Sequence, residues 1–169
     1  NDSAGIIATQ ATTGDVHLGN CVVGGFPNNG VYASKVGLDD NPGRVVVRGG
    51  EFFNSDRDQL RVGSQSEIYY AHCYSDTIKP GFNNLRGIWV RHADGVRIED
   101  TTVEQGTSDS GAGIRISGTS GETTIENTRI RLDSPGFGIW ALDPQPPTGG
   151  GFARPPGSGT KIRCKNVSI

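Results

Sequence analysis

The chain has 169 residues, of which 16 are Lys or Arg and 18 are Asp or Glu, for a formal net charge of −2. That balance leaves no basic stripe for nucleic acid, and no run is long or apolar enough to insert in a membrane. Hydrophobic residues make up 33% while 26 residues are Gly, so a core must come from short segments parted by many corners.

Ala4-Gly5-Ile6-Ile7-Ala8 reads as a short strand, and one motif then repeats. The segments beginning at Val16 (VHLGNCVV), Val45 (VVVRGGEF), Glu67 (EIYYAHCY), Val96 (VRIEDTTV), Thr123 (TTIENTRI) and Thr160 (TKIRCKNV) are expected to superpose without a gap. A second apolar run follows most of them: Gly30-Val31-Tyr32-Ala33, Gln59-Leu60-Arg61-Val62, Gly87-Ile88-Trp89-Val90, Gly113-Ile114-Arg115-Ile116 and Gly138-Ile139-Trp140-Ala141. Apolar residues recur at every second position, with Gly/Asn/Asp/Ser turns between runs and no helical spacing. A period of roughly 25–30 residues built this way predicts a stacked solenoid, because one repeat alone has too little apolar surface to fold. In the Val96 copy, Val96, Ile98 and Val103 are expected inside, with Arg97, Glu99 and Glu104 outside.

Residues 1–169 read as a single domain. Both ends of the repeat are open, which predicts an excerpt of a longer chain or capping by a partner. Cys21, Cys73 and Cys164 fall in non-adjacent rungs and are expected to be unpaired and at least partly buried. Corners extended at Lys35–Pro42, Asp76–Asn84 and Asp143–Gly159 are candidate walls of a binding face. Asn1-Asp2-Ser3 and Asn166-Val167-Ser168 are glycosylation sequons, the second expected within a strand.

The motifs GVRIEDTTVEQG, GIRISGTSGETTIENTRI and GIWALDP resemble those of right-handed parallel β-helix proteins of the pectate-lyase-like superfamily. The repeats are also similar to haloarchaeal and viral β-helix surface proteins. The resemblance covers nearly the whole chain from Asp15 onward and implies an all-β, right-handed parallel β-helix of about six rungs. The superfamily spans polysaccharide lyases, glycoside hydrolases, viral tailspikes and fibres, and adhesins, so the resemblance implies fold rather than activity. Its polygalacturonase-like Asn-Thr-Asp, Asp-Asp, Gly-His-Gly and Arg-Ile-Lys motifs do not carry over, since Asp39-Asp40 stands isolated. No acidic cluster of the calcium-binding kind is present on one strand face.

In a stacked solenoid, matched outward positions form columns along the axis. The second runs give Tyr32, Arg61, Trp89, Arg115 and Trp140, alternating aromatic and guanidinium. That strip suits ligand binding, with rings stacking on sugar faces and Arg hydrogen-bonding hydroxyls or carboxylates. It also suits plain cation–π stacking or a subunit interface. The first runs give Arg48, Tyr70, Glu99, Glu126 and Arg163. There Glu99 and Glu126 would lie one rung apart, a spacing of about 5 Å that retaining glycosidases use. The opposing reading pairs Glu126 with Arg163, Glu99 with Arg97 and Glu104 with Arg131. His17, His72 and His92 are scattered, with His92 beside Arg91 as the one site worth testing.

The sequence thus predicts an extracellular, cell-surface or virion module, a spike, fibre or adhesin. It would present Tyr32 to Trp140 to a polysaccharide, a surface glycan or a protein, as a homo-oligomer or larger assembly. No cofactor, metal, nucleic acid or membrane insertion is expected. The alternative is a polysaccharide lyase or glycoside hydrolase acting through Glu99 and Glu126, against which the missing motifs weigh.

Overall fold

The computed structural model describes residues 3–8, 15–33, 44–63, 65–77, 83, 85–91, 95–106, 111–117, 122–133, 135–142 and 161–169. The described strands are β1 (Ile6–Ile7), β2 (Val16–Gly24), β3 (Val31–Ala33), β4 (Val45–Phe53), β5 (Asp58–Val62), β6 (Glu67–Tyr69), β7 (His72–Ser75) and β8 (Arg86–Arg91). They continue as β9 (Val96–Glu99), β10 (Thr102–Gln105), β11 (Ala112–Ser117), β12 (Glu122–Glu126), β13 (Arg129–Leu132), β14 (Phe137–Leu142) and β15 (Lys161–Lys165). No helix occurs among the described residues, and the strand pairings are parallel.

Sheet A stacks in the order β1-β3-β5-β8-β11-β14, and sheet B in the order β13-β10-β7-β4-β6-β9-β12-β15, with β2 also on β4. The long strand β4 explains the second order: its first half pairs β6 and its second half pairs β7. Sheet B therefore has two limbs joined at a corner, and each coil runs first limb, corner, second limb, sheet A. This is the all-β parallel solenoid that the repeat implies.

The corner is made by a residue in the left-handed region in every copy. Asn20 (φ 48), Gly49 (φ 73), Tyr70 (φ 57), Asp100 (φ 48), Asn127 (φ 47) and Asn166 (φ 52) hold the place. Gly lacks the Cβ clash, and Asn and Asp tolerate it, so the residue type marks the bend. Asn166 Nδ2 also donates to Asn127 Oδ1 at 3.0 Å, linking successive corners.

The core is a set of inward columns. Leu18, Val47, Ile68, Ile98 and Ile125 stack in register from sheet B, and Val31, Leu60, Ile88 and Ile114 from sheet A. Leu18 is 7% exposed and the other eight are at 0%. Full burial of such a side chain is worth about 1.5–3 kcal/mol, so stacking supplies what one coil cannot.

The register corrects part of the sequence alignment. Glu67 lies beside Val46, not Val45, and Thr123 beside Ile162, not Thr160. Two copies were thus displaced, by one and two residues, because apolar alternation was counted and the corner residue was not. The first-limb column is Arg48, Tyr69, Glu99, Glu126 and Lys165, so Tyr70 and Arg163 leave it. Tyr70 is the exposed corner residue, and Arg163 lies beside Thr124 and bonds Glu122 at 2.9 Å. Asn166 sits at a corner rather than within a strand.

The cysteines are free, with Cys21 intermediate, Cys73 buried and Cys164 exposed. Exposure of Cys164 differs from the expected partial burial: it is in register with the inward Ile125, but β15 is the end strand of its sheet among the described residues, so no further strand covers it. Asn1, His92, residues 35–42 and residues 143–159 lie outside the described residues, as does most of 78–84.

Candidate functional site

The expected strip forms one outward column of sheet A. Tyr32 is in register with Arg61, Arg61 with Trp89, Trp89 with Arg115, and Arg115 with Trp140. The flanking Leu60, Val62, Ile88, Val90, Ile114 and Ile116 are all at 0% exposure, which fixes the strip side chains on the other face.

Cations and rings then alternate along the axis. The Arg61 guanidinium carbon lies 4.2 Å from the Tyr32 centroid and 4.5 Å from that of Trp89. Arg115 lies 4.9 Å from Trp89 and 4.8 Å from Trp140. Arg86, at 4.1 Å, and Arg91, at 4.8 Å, approach the same Trp89 ring. Trp89 is further held by its Nε1, which donates to Ser117 Oγ at 2.8 Å. At the far end Phe137 stacks on Trp140 with centroids 5.0 Å apart.

Each cation–π contact is worth about 0.5–1 kcal/mol when wet and about 2 when desolvated. Arg61, at 5% exposure, belongs to the desolvated kind. Burial pulls its pKa down to about 10, and burial also lowers those of Arg91 and Arg115.

Beside the strip, Arg86 Nε donates to Asp58 Oδ1 in a buried ion pair, with side chains 7% and 0% exposed. Burial raises the Asp58 pKa against the opposing pull of Arg86, Arg61 and Arg115. The Asp58 carboxylate thus faces Arg61, Arg86, Arg91 and Arg115 together. Its Oδ2 and Arg115 Nε are buried and find no hydrogen-bond partner among the described residues.

Sequence reasoning missed Asp58, Arg86 and Phe137. Counting by twos from Leu60 and Ile88 places Asp58 and Arg86 inside the solenoid. The register skips Gln59, Gly87, Gly113 and Gly138, where two consecutive residues turn inward and reverse the parity. The recurring glycine before each second run was the available signal.

Glu99 and Glu126 occupy consecutive rungs in register. Each has a cation: Arg97 Nη1 donates to Glu99 Oε1 at 3.0 Å, and Lys165 Nζ stands 3.9 Å from Glu126 Oε2. Glu126 is therefore paired with Lys165 rather than Arg163. Glu104 does not pair with Arg131 either: it bonds His72 Nε2 at 2.9 Å, while Arg131 bonds Asp133. His17 points outward, 3.9 Å from Asp15.

With this geometry in place, the chain matches the family described as right handed beta helix region over residues 4–146. It is a member of the right-handed β-helix family. No curated protein and no solved structure matches the chain. Membership gives the β-helix as the scaffold, and any activity belongs to the side chains that the scaffold carries.

Proposed function

We propose that this β-helix is a surface module of a cell or virion that binds an acidic glycan along Tyr32, Arg61, Trp89, Arg115 and Trp140. One observation carries the reading: guanidiniums of Arg61, Arg86, Arg91 and Arg115 gather around the Trp89 ring at 4.1–4.9 Å. Guanidiniums gathered around one indole give a face whose chemistry suits a carboxylate or sulfate together with a sugar ring. Rings two coils apart supply stacking for sugar faces, and Arg forks between and beside them supply carboxylate or sulfate recognition. The rigid sheet presents both at low ordering cost.

The test is calorimetric titration with a polyuronate, a sulfated glycan and a neutral glucan, over a salt series. Binding should favour the acidic polymers and weaken with salt. Trp89→Ala with Trp140→Ala should reduce affinity by about tenfold or more, while circular dichroism stays that of a folded solenoid. Equal binding of neutral glucan, or unchanged affinity in the double variant, refutes the proposal. If the strip instead joins copies into a homo-oligomer, light scattering will show the wild type associated and the double variant monomeric.

A further inference from the structure

A second feature lies on the other sheet. It is a groove of about 600 Å³ lined by His72, Tyr74, Ser75, Asp76, Glu104, Gly106, Arg131 and Asp133. Three successive rungs of the second limb of sheet B build it. The outward column through their middle reads Phe53, Tyr74, Glu104, Arg131, and the flanking column reads Glu51, His72, Thr102, Arg129. Phe53 and Tyr74 stack as parallel rings, centroids 5.1 Å apart and 8° from coplanar. The aromatic ladder then stops.

The next rung offers Thr102, Glu104 and Gly106, which are smaller than what stands on either side. Glu104 is drawn towards His72, at 2.9 Å, and Gly106 carries no side chain. A side chain at 106 is excluded sterically, since its Cβ would lie 2.7 Å from Ser75 O. The result is a notch one rung wide. One wall is Tyr74, whose first face is taken by Phe53, with His72 beside it at 4.6 Å. The other wall is Arg131, bonded to Asp133 at 2.9 Å. Two rung spacings of about 4.8 Å separate the walls by roughly 10 Å, room for one more flat ring on the Tyr74 face.

The polar groups define what ring fits. Each carboxylate has one oxygen engaged within the protein: Asp76 Oδ1 by Asn54, Glu104 Oε2 by His72, and Asp133 Oδ1 by Arg131. All three carboxylates line the groove and outnumber its Arg131, so hydroxyl donors are matched and a further anion is repelled. We infer that this notch binds a neutral pyranose, stacked on Tyr74 and hydrogen-bonded to Glu104, Asp76 and Asp133. The site is independent of the acidic-glycan strip on sheet A and stands whether or not that strip binds.

The test uses the full chain and NMR signals of the Tyr74 ring and the His72 imidazole, titrated with methyl glucoside, galactoside and mannoside and with methyl glucuronide. At least one neutral pyranoside should shift both signals at millimolar concentration, with the glucuronide about tenfold weaker. Tyr74→Ala should weaken the neutral sugar by about tenfold, read on His72. Glu104→Gln, which keeps the shape, should weaken it while leaving the fold unchanged. Trp89→Ala should leave it unaltered, which separates this site from the strip. Silence of both signals to every neutral pyranoside, equal affinity for the glucuronide, or undiminished binding in Tyr74→Ala overturns the inference.

Discussion

Replacing Gly113 by Ala tests how closely the coils are packed. A Cβ there would collide with Ile130 Cγ2 and stand 2.9 Å from Gly138 O, well inside the 3.5–4.0 Å of ordinary contact. Neither neighbour can retreat freely. Ile130 is 2% exposed and sits on β13, in register with Val103, while Gly138 belongs to β14, in register with β11. Overpacking of this kind costs about 1–3 kcal/mol, offset by about 0.4–1 kcal/mol from the stiffer unfolded chain. The net expectation is a loss of about 1–2 kcal/mol, a fall of roughly 2–8 °C in Tm for a chain of this size. Gly19 is the control, since a Cβ there meets nothing within 4 Å, so Gly19→Ala should be neutral or stabilising by up to about 1 kcal/mol. Thermal and urea unfolding of both variants decide the matter. If Gly113→Ala is as stable as Gly19→Ala, the recurring glycine is not there for close approach, and the assignment of position 113 to the interior is wrong.

Tyr70 is strained at φ 57 and 65% exposed, so Tyr70→Asn should raise stability by about 0.5–1 kcal/mol in urea unfolding. The hydrogen bond from Asn54 holds the Asp76 pKa below its ordinary value. A depressed carboxylate contributes stability above its unfolded pKa and loses it as pH falls through the folded one. Asn54→Ala should move the Asp76 titration upward, as read from its side-chain carboxyl carbon shift. Burial raises both the Cys73 and the Cys164 thiols, but Cys73 is buried and Cys164 is exposed, so access separates them. A thiol reagent should therefore modify Cys164 in the native protein and reach Cys73 only on unfolding.

Sheet A was legible in the sequence because each second run carries the same marker, a Gly or Gln59 followed by an inward apolar residue. That marker fixes the register, and with it the order of Tyr32, Arg61, Trp89, Arg115 and Trp140. Sheet B was legible only where the corner residue announced itself. Asn20, Gly49, Asp100 and Asn127 align, but Tyr70 is not a residue that normally takes positive φ, and the copy around it slid by one. In the last copy Cys164 took the place that belongs to Asn166, and the slip was two. A rule that counts conformationally permissive residues would have placed Lys165, rather than Arg163, beside Glu126.

The groove near Tyr74 was illegible for a different reason. Its walls, His72, Tyr74, Glu104 and Arg131, read as ordinary outward positions, and the cavity arises from what the middle rung lacks: Gly106 has no side chain, and Glu104 leans towards His72. Such a feature exists only in the comparison of three coils whose sequence offsets differ, with Tyr74 and Glu104 thirty residues apart and Glu104 and Arg131 twenty-seven. The backbone ladder and inward columns hold the solenoid together regardless of what points outward. The outer faces are therefore free to diverge, one gathering guanidiniums around Trp89 and the other gathering acceptors below Tyr74. If both proposals hold, an acidic sugar drawn to the guanidiniums around Trp89 would be repelled by the carboxylates below Tyr74, so charge alone would keep it out of the groove without any conformational change.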